Sequence, residues 1–210
     1  MIKSFVMIAA LMSANAAAAE TAIGTMGTKG YPITSGGVLN GCAVEFDNIH
    51  TDRVYLPAKM IAVSGSIALY LSEKGGGYGF KVVVNDSAVG PEGVTVTPNP
   101  PFSINIETAS GTSTHGLDRK QLGSETPGGT FVTFEFFDEK FSKIMDEIMD
   151  TQSATILFNR RDGGMDIRVP IDFTVASTDE DLKKTRNNST MKNFIDCNVK
   201  LLSKVSAEIK

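Results

Sequence analysis

The 210-residue sequence has no tryptophan, only two histidines and only two cysteines, and each scarcity narrows its chemistry. Two histidines exclude a multi-histidine zinc centre. The cysteines, Cys42 and Cys197, lack C-x-x-C spacing and have no histidine nearby, so neither a redox pair nor a metal site is expected. Cations are in deficit, with 20 Lys and Arg against 24 Asp and Glu for a net charge of -4. Without a basic stripe the chain has no footprint for nucleic acid. No apolar run approaches the roughly 18 residues of a membrane-spanning helix, so no transmembrane segment is expected in the mature chain.

Catalytic signatures are also missing. No G-x-S-x-G elbow marks a nucleophilic serine. Ser189-Thr190-Met191-Lys192 matches S-x-x-K, but the S-D-N and K-T-G partners of that chemistry do not occur, so Ser189 reads as a helix cap and Lys192 as a surface cation. Gly75-Gly76-Gly77-Tyr78-Gly79 lacks the G-K-[ST] ending of a phosphate loop and leads into a strand, so it reads as the turn of a hairpin. His50, Asp52 and Arg53 lie together, with His115 elsewhere; two or three such residues do not define a site. No cofactor is expected.

What is present begins with an export signal. Lys3 precedes the apolar run Phe5 to Met12, which is followed by small residues to Ala19. Ala17-Ala18-Ala19 supplies an A-x-A cleavage window, giving a signal peptide at 1–19 and a mature chain from Glu20. Ala14-Asn15-Ala16 is a slightly earlier window. No cysteine follows the run, so no lipid anchor is expected, and the protein is placed in the periplasm or secreted. In such a compartment two cysteines read as one disulfide. Closing a loop of about 156 residues stabilises a fold by something near 5 kcal/mol on the chain-entropy model.

Residues 20–210 read as a single domain of α+β class, mainly β. The expected core is an antiparallel sheet or β-sandwich with one mid-chain helix and a C-terminal helix packed on it. Cys42 to Phe46 alternates, and Met60 to Leu71 is a long apolar run interrupted at Ser64-Gly65, where a bend or bulge would fit. Strands follow at Tyr78 to Val84, Val94 to Thr97, Phe102 to Glu107 and Phe131 to Phe136, with Phe102, Ile104 and Ile106 on one face.

From Asp138 the period changes: Phe141, Ile144, Met145 and Ile148 fall at i, i+3, i+4, i+7, an amphipathic helix with Asp138 as N-cap. Ser153 to Asn159 and Met165 to Phe173 read as a hairpin, and Pro170 puts the second strand at an edge or a bulge. A short helix from Asp179, capped by Ser177 or Thr178, precedes a longer one carrying Met191, Phe194, Ile195, Val199, Leu202 and Val205, with Cys197 on a neighbouring face. The Gly, Ser and Thr-rich segment 108–130 reads as a flexible loop.

The hairpin also carries Arg160, Arg161, Asp162, Asp166 and Arg168, a charged group that marks a possible interaction surface. An alanine-ending signal, an early Gly41-Cys42, the hairpin through Val169-Pro170-Ile171 and a closing Phe194-Ile195-Asp196-Cys197 helix resemble small exported proteins of alphaproteobacteria. The same hairpin resembles the end of invasion-associated locus B proteins. That resemblance implies a β-rich envelope protein and carries over no functional residue. Together these features predict an exported binding or accessory protein whose partner is another protein or an envelope component, with a periplasmic hydrolase using a serine or carboxylate site as the alternative.

Overall fold

The computed structural model describes residues 24–55, 59–72, 75–91, 93–135 and 138–208, so the signal segment 1–19 lies outside the described residues. The fold is α+β and mainly β. Its strands are β1 Gly24–Ser35, β2 Val38–Asp52, β3 Lys59–Ser72, β4 Gly75–Gly90, β5 Gly93–Pro98, β6 Ser103–Glu107, β7 Lys120–Gly123, β8 Gly129–Glu135, β9 Ser153–Asn159, β10 Ile167–Asp172, β11 Val175–Thr178 and β12 Lys184–Arg186. Two helices complete it, α1 Glu139–Thr151 and α2 Ser189–Glu208. No helix among the described residues is long and apolar enough to cross a membrane.

A seven-stranded antiparallel sheet runs β1-β2-β3-β4-β8-β7, with β5 also paired to β4. The far edge of β4 is divided: Gly77 to Val83 pairs with β8, and Asn85 to Gly90 pairs with β5. The junction needs Gly128, whose φ of +78° brings its backbone against Val84 and Pro98; a Cβ there would lie 2.6 Å from the Val84 carbonyl oxygen. One face of this sheet is covered by a second layer, made of α1, α2 and the three-stranded sheet β10-β9-β6. Between the layers lies one core, in which Phe46, Phe80, Phe141, Phe158 and Phe194 are fully buried.

Alternation built this interior. Cys42, Val44 and Phe46 on β2 face the core beside Ile61, Val63, Ile67 and Leu69 on β3 and Phe80, Val82 and Val84 on β4. No bulge occurs at Ser64-Gly65, because the register with both neighbours is continuous there. Gly65 instead leaves space for the Phe46 ring, which a Cβ would approach to 2.6 Å. Gly75 to Gly77 likewise belongs to β4 rather than to a turn, and Gly77 and Gly79 make room for the Tyr70 and Phe131 rings.

Helix α1 has its expected cap: Asp138 Oδ1 accepts from the amides of Lys140 at 2.8 Å and Phe141 at 3.0 Å. Phe141 stacks on Phe134 with ring centroids 4.4 Å apart. Pro170 lies on the edge strand β10, and the β9–β10 register runs through it unbroken. Phe102 precedes β6 and is exposed, while Ile104 and Ile106 are buried. The short helix from Asp179 does not form. Val175–Thr178 and Lys184–Arg186 make a hairpin instead, turned by Asp179, whose Oδ1 accepts from the Asp181 and Lys183 amides. Segment 108–130 contains β7, buried Thr108 and Thr114, and Ser110, whose amide and hydroxyl bind the Glu147 carboxylate on α1 and hold it below the usual carboxylate range.

The disulfide joins Cys42 on β2 to Cys197 on α2, with their Cα atoms 5.8 Å apart. It turns Met191, Phe194, Cys197 and Leu201 inward and leaves Ile195 and Val199 exposed. The buried face of α2 is thus rotated from the one its apolar residues imply, since Cys197 must meet β2. The helix then lies close to β1: Thr190 Oγ1 bonds to Thr28 Oγ1 at 3.0 Å and to the Thr28 carbonyl at 3.2 Å. Asn187 Oδ1 accepts from the Ser189 amide at 2.9 Å and also from its hydroxyl, and Ser189 is the first residue of α2 rather than its cap.

Candidate binding pocket at the hairpin end

Polar residues that are far apart in sequence meet where β2 ends and the β9–β10 hairpin turns. Asp52, the last residue of β2, is buried. Its Oδ1 accepts from the amides of Val54 at 3.0 Å and Tyr55 at 3.1 Å, a side-chain turn that redirects the chain. Its Oδ2 accepts from Arg160 Nε at 3.0 Å, and Arg160 Nη2 donates to Asp86 Oδ1 on β4 at 2.8 Å. Side-chain exposure is 12% for Arg160 and 3% for Asp52, so this is an interior ion network. Asp86 also receives Asn99 at 3.0 Å, with Lys59 Nζ 3.9 Å away.

Tyr55 locks the hairpin onto this network. Its hydroxyl donates to the Met165 carbonyl at 2.9 Å, and its ring faces Arg161 at 6.0 Å from the centroid. Gly164 permits the approach, because a Cβ there would lie 2.4 Å from the Tyr55 oxygen. Arg160 is therefore drawn inward, Arg161 and Asp162 stay exposed on the turn, Asp166 faces the loop that carries His115, and Arg168 faces the end of β6. Asp166 Oδ2 lies 3.1 Å from His115 Nε2, and Asn159 Nδ2 donates to Oδ1 at 3.4 Å. Arg168 makes a two-pronged ion pair with Glu107.

Between these groups opens a cavity of about 440 Å³, within the range of small-ligand sites. Its polar rim is His50, Arg53, Asp166 and Arg168; Val54, Met165 and Ile167 supply apolar wall. Burial lowers the pKa of His50 below its ordinary 6.5; Asp52 acts against this and Arg53 adds to it. Both histidines thus converge on one region, His50 in the wall and His115 behind Asp166.

No serine hydroxyl is hydrogen-bonded to either imidazole among the described residues; Ser113 Oγ reaches only the His115 amide, at 3.4 Å. No group of three metal-ligating side chains gathers among the described residues. Ser189 and Lys192 are not paired, since Lys192 binds Asp196. Sequence reading missed Tyr55, Asp86, Glu107 and Met165. Asp86 and Glu107 carry no local signal, whereas Met165, an apolar residue beside a charged turn, was the detectable one. No family model, curated protein or solved structure matches the chain.

Proposed function

We propose that this chain is an exported binding or accessory protein of the bacterial envelope, working in the periplasm or beyond, and that its ligand enters the pocket at the β9–β10 end. The pocket itself carries the reading: two chain segments far apart in sequence, 50–54 and 165–168, build a concave site with an apolar wall and a few placed polar groups, the usual makeup of a small-ligand site. The Cys42–Cys197 bridge supports the compartment, because disulfides persist outside the cytoplasm. The signal-like segment 1–19 and the likeness to exported alphaproteobacterial proteins support the export step.

A fragment-library screen by amide chemical shifts tests the proposal. Compounds that bind are expected to move the amides of residues 50–54 and 165–168 together. A screen in which no compound perturbs those residues overturns the pocket, and specific fluorophosphonate labelling of a serine replaces the binding reading with that of a hydrolase.

A further inference from the structure

Resting on that binding reading, we infer that the pocket takes a small monocarboxylate with an apolar body, anchored by Arg53. The charge inventory of the lining leads there. Asp166 is the one acid in the lining; it is hydrogen-bonded by His115 and Asn159, and the Arg119 guanidinium is close enough for the two charges to interact. Arg168 is engaged by Glu107. Arg53 is exposed and has neither an acid nor a hydrogen-bond partner among the described residues, so it is the lining cation left over. A guanidinium presents a planar fork of donors that matches a carboxylate with two parallel bonds. One uncommitted cation balances one negative charge, whereas a phosphate dianion would call for a second.

The rest of the wall fixes the other half of the ligand. Val54 and Ile167 are apolar, and Met165, 75% exposed, holds a thioether side chain in water at the edge of the cavity. Methionine is unbranched and polarisable, and it packs well against apolar groups of irregular shape. Covering it removes apolar surface from water, which favours binding. His50, neutral at pH 7 because its pKa lies below 6.5, adds one hydrogen bond beside Arg53 without adding charge. Such a ligand comes from two sources, a free aliphatic or aromatic acid or the C-terminal residue of a peptide.

Amide-shift titrations of the full chain with hexanoate, hexan-1-ol, acetyl-Gly-Leu acid and acetyl-Gly-Leu amide separate the cases. At least one acid is expected to shift residues 50–54 and 165–168 and to bind tenfold or more tightly than its neutral counterpart. Arg53→Gln is expected to weaken that acid about tenfold and leave the neutral probe unchanged; Lys200→Gln, which removes an exposed cation of α2 outside the lining, is expected to leave both unchanged. Tighter binding of the peptide acid identifies a chain terminus, and tighter binding of hexanoate identifies a free acid. Equal binding of acids and neutral probes, or indifference to Arg53→Gln, overturns the carboxylate assignment while leaving the pocket in place. If none of the four probes shifts the pocket although screening compounds do, the ligand class is wrong; if nothing does, the binding reading has failed.

Discussion

Gly30 on β1 lies beneath α2, and replacing it with alanine tests how tightly the helix is clamped to the sheet. A Cβ at this position would fall 2.2 Å from the Thr190 carbonyl oxygen and 3.0 Å from the Phe194 amide nitrogen. Both are backbone atoms, so no side chain can swing aside. The carbonyl must retreat by at least 0.8 Å, 3.0 minus 2.2, before the contact becomes one that proteins show. Two restraints resist that retreat: the Thr28–Thr190 hydrogen bonds and the bridge to Cys197. Overpacking costs about 1–3 kcal/mol, and the lower entropy of alanine in the unfolded chain returns about 0.4–1 kcal/mol. We expect Gly30→Ala to lower stability by about 2 kcal/mol in the oxidised protein. Freed of the bridge, the helix can rise, and the cost should fall to about 1 kcal/mol. Gly36→Ala in the β1–β2 turn is the control. Its φ is +58° with nothing within 4 Å, so it should cost about 1–2 kcal/mol whether or not the bridge is present. Urea unfolding followed by circular dichroism measures all of these, since the chain has no tryptophan to report. A Gly30→Ala protein as stable as the parent, or one whose cost ignores the bridge, would refute the clamp.

Replacing both Cys42 and Cys197 with serine should lower stability by up to about 5 kcal/mol, given a sequence separation of 155, and should loosen α2 before the sheet. Hydrogen exchange that shows the sheet opening first would contradict this. Arg160→Ala leaves Asp52 buried without its cation and should cost about 3–5 kcal/mol in the same unfolding assay; a loss below 1 kcal/mol would mean that water reaches the network. His50 has a folded pKa below its unfolded 6.5, so on acidification the unfolded chain takes the proton first. Its contribution is absent well above pH 6.5, turns unfavourable as the pH falls from 6.5 through the folded pKa, and is constant below. His50→Gln should therefore lose less stability than the parent between pH 7.5 and 5.5, and identical profiles would show that His50 is not desolvated.

Features that repeat over a few residues were legible in the chain itself. The 3.6-residue period at Phe141, Ile144, Met145 and Ile148, with Asp138 ahead of it, specifies α1 and its cap, because cap and stripe act within two turns. Alternation marked Cys42 to Phe46 within β2 and the buried face of β6, and the missing amide of Pro170 limited its strand to an edge or a bulge, of which the structure takes the edge. The two cysteines specified their own pairing, since neither had another partner. Tertiary structure decided whatever depended on a distant surface. The bridge and the close approach at Gly30 chose which stripe of α2 is buried, so Cys197 and Leu201 took the place of Ile195 and Val199. The acidic run after Thr178 became the turn of a β-hairpin because Lys184–Arg186 was there to pair with Val175–Thr178. Gly65 became a seat for Phe46 rather than a bulge, which only the register of β2 against β3 could decide. The pocket is the extreme case: along the chain His50 with Arg53, His115, and Asp166 with Arg168 are three separate groups, and they become one site only when β2, the β9–β10 hairpin and the loop before β7 are packed together.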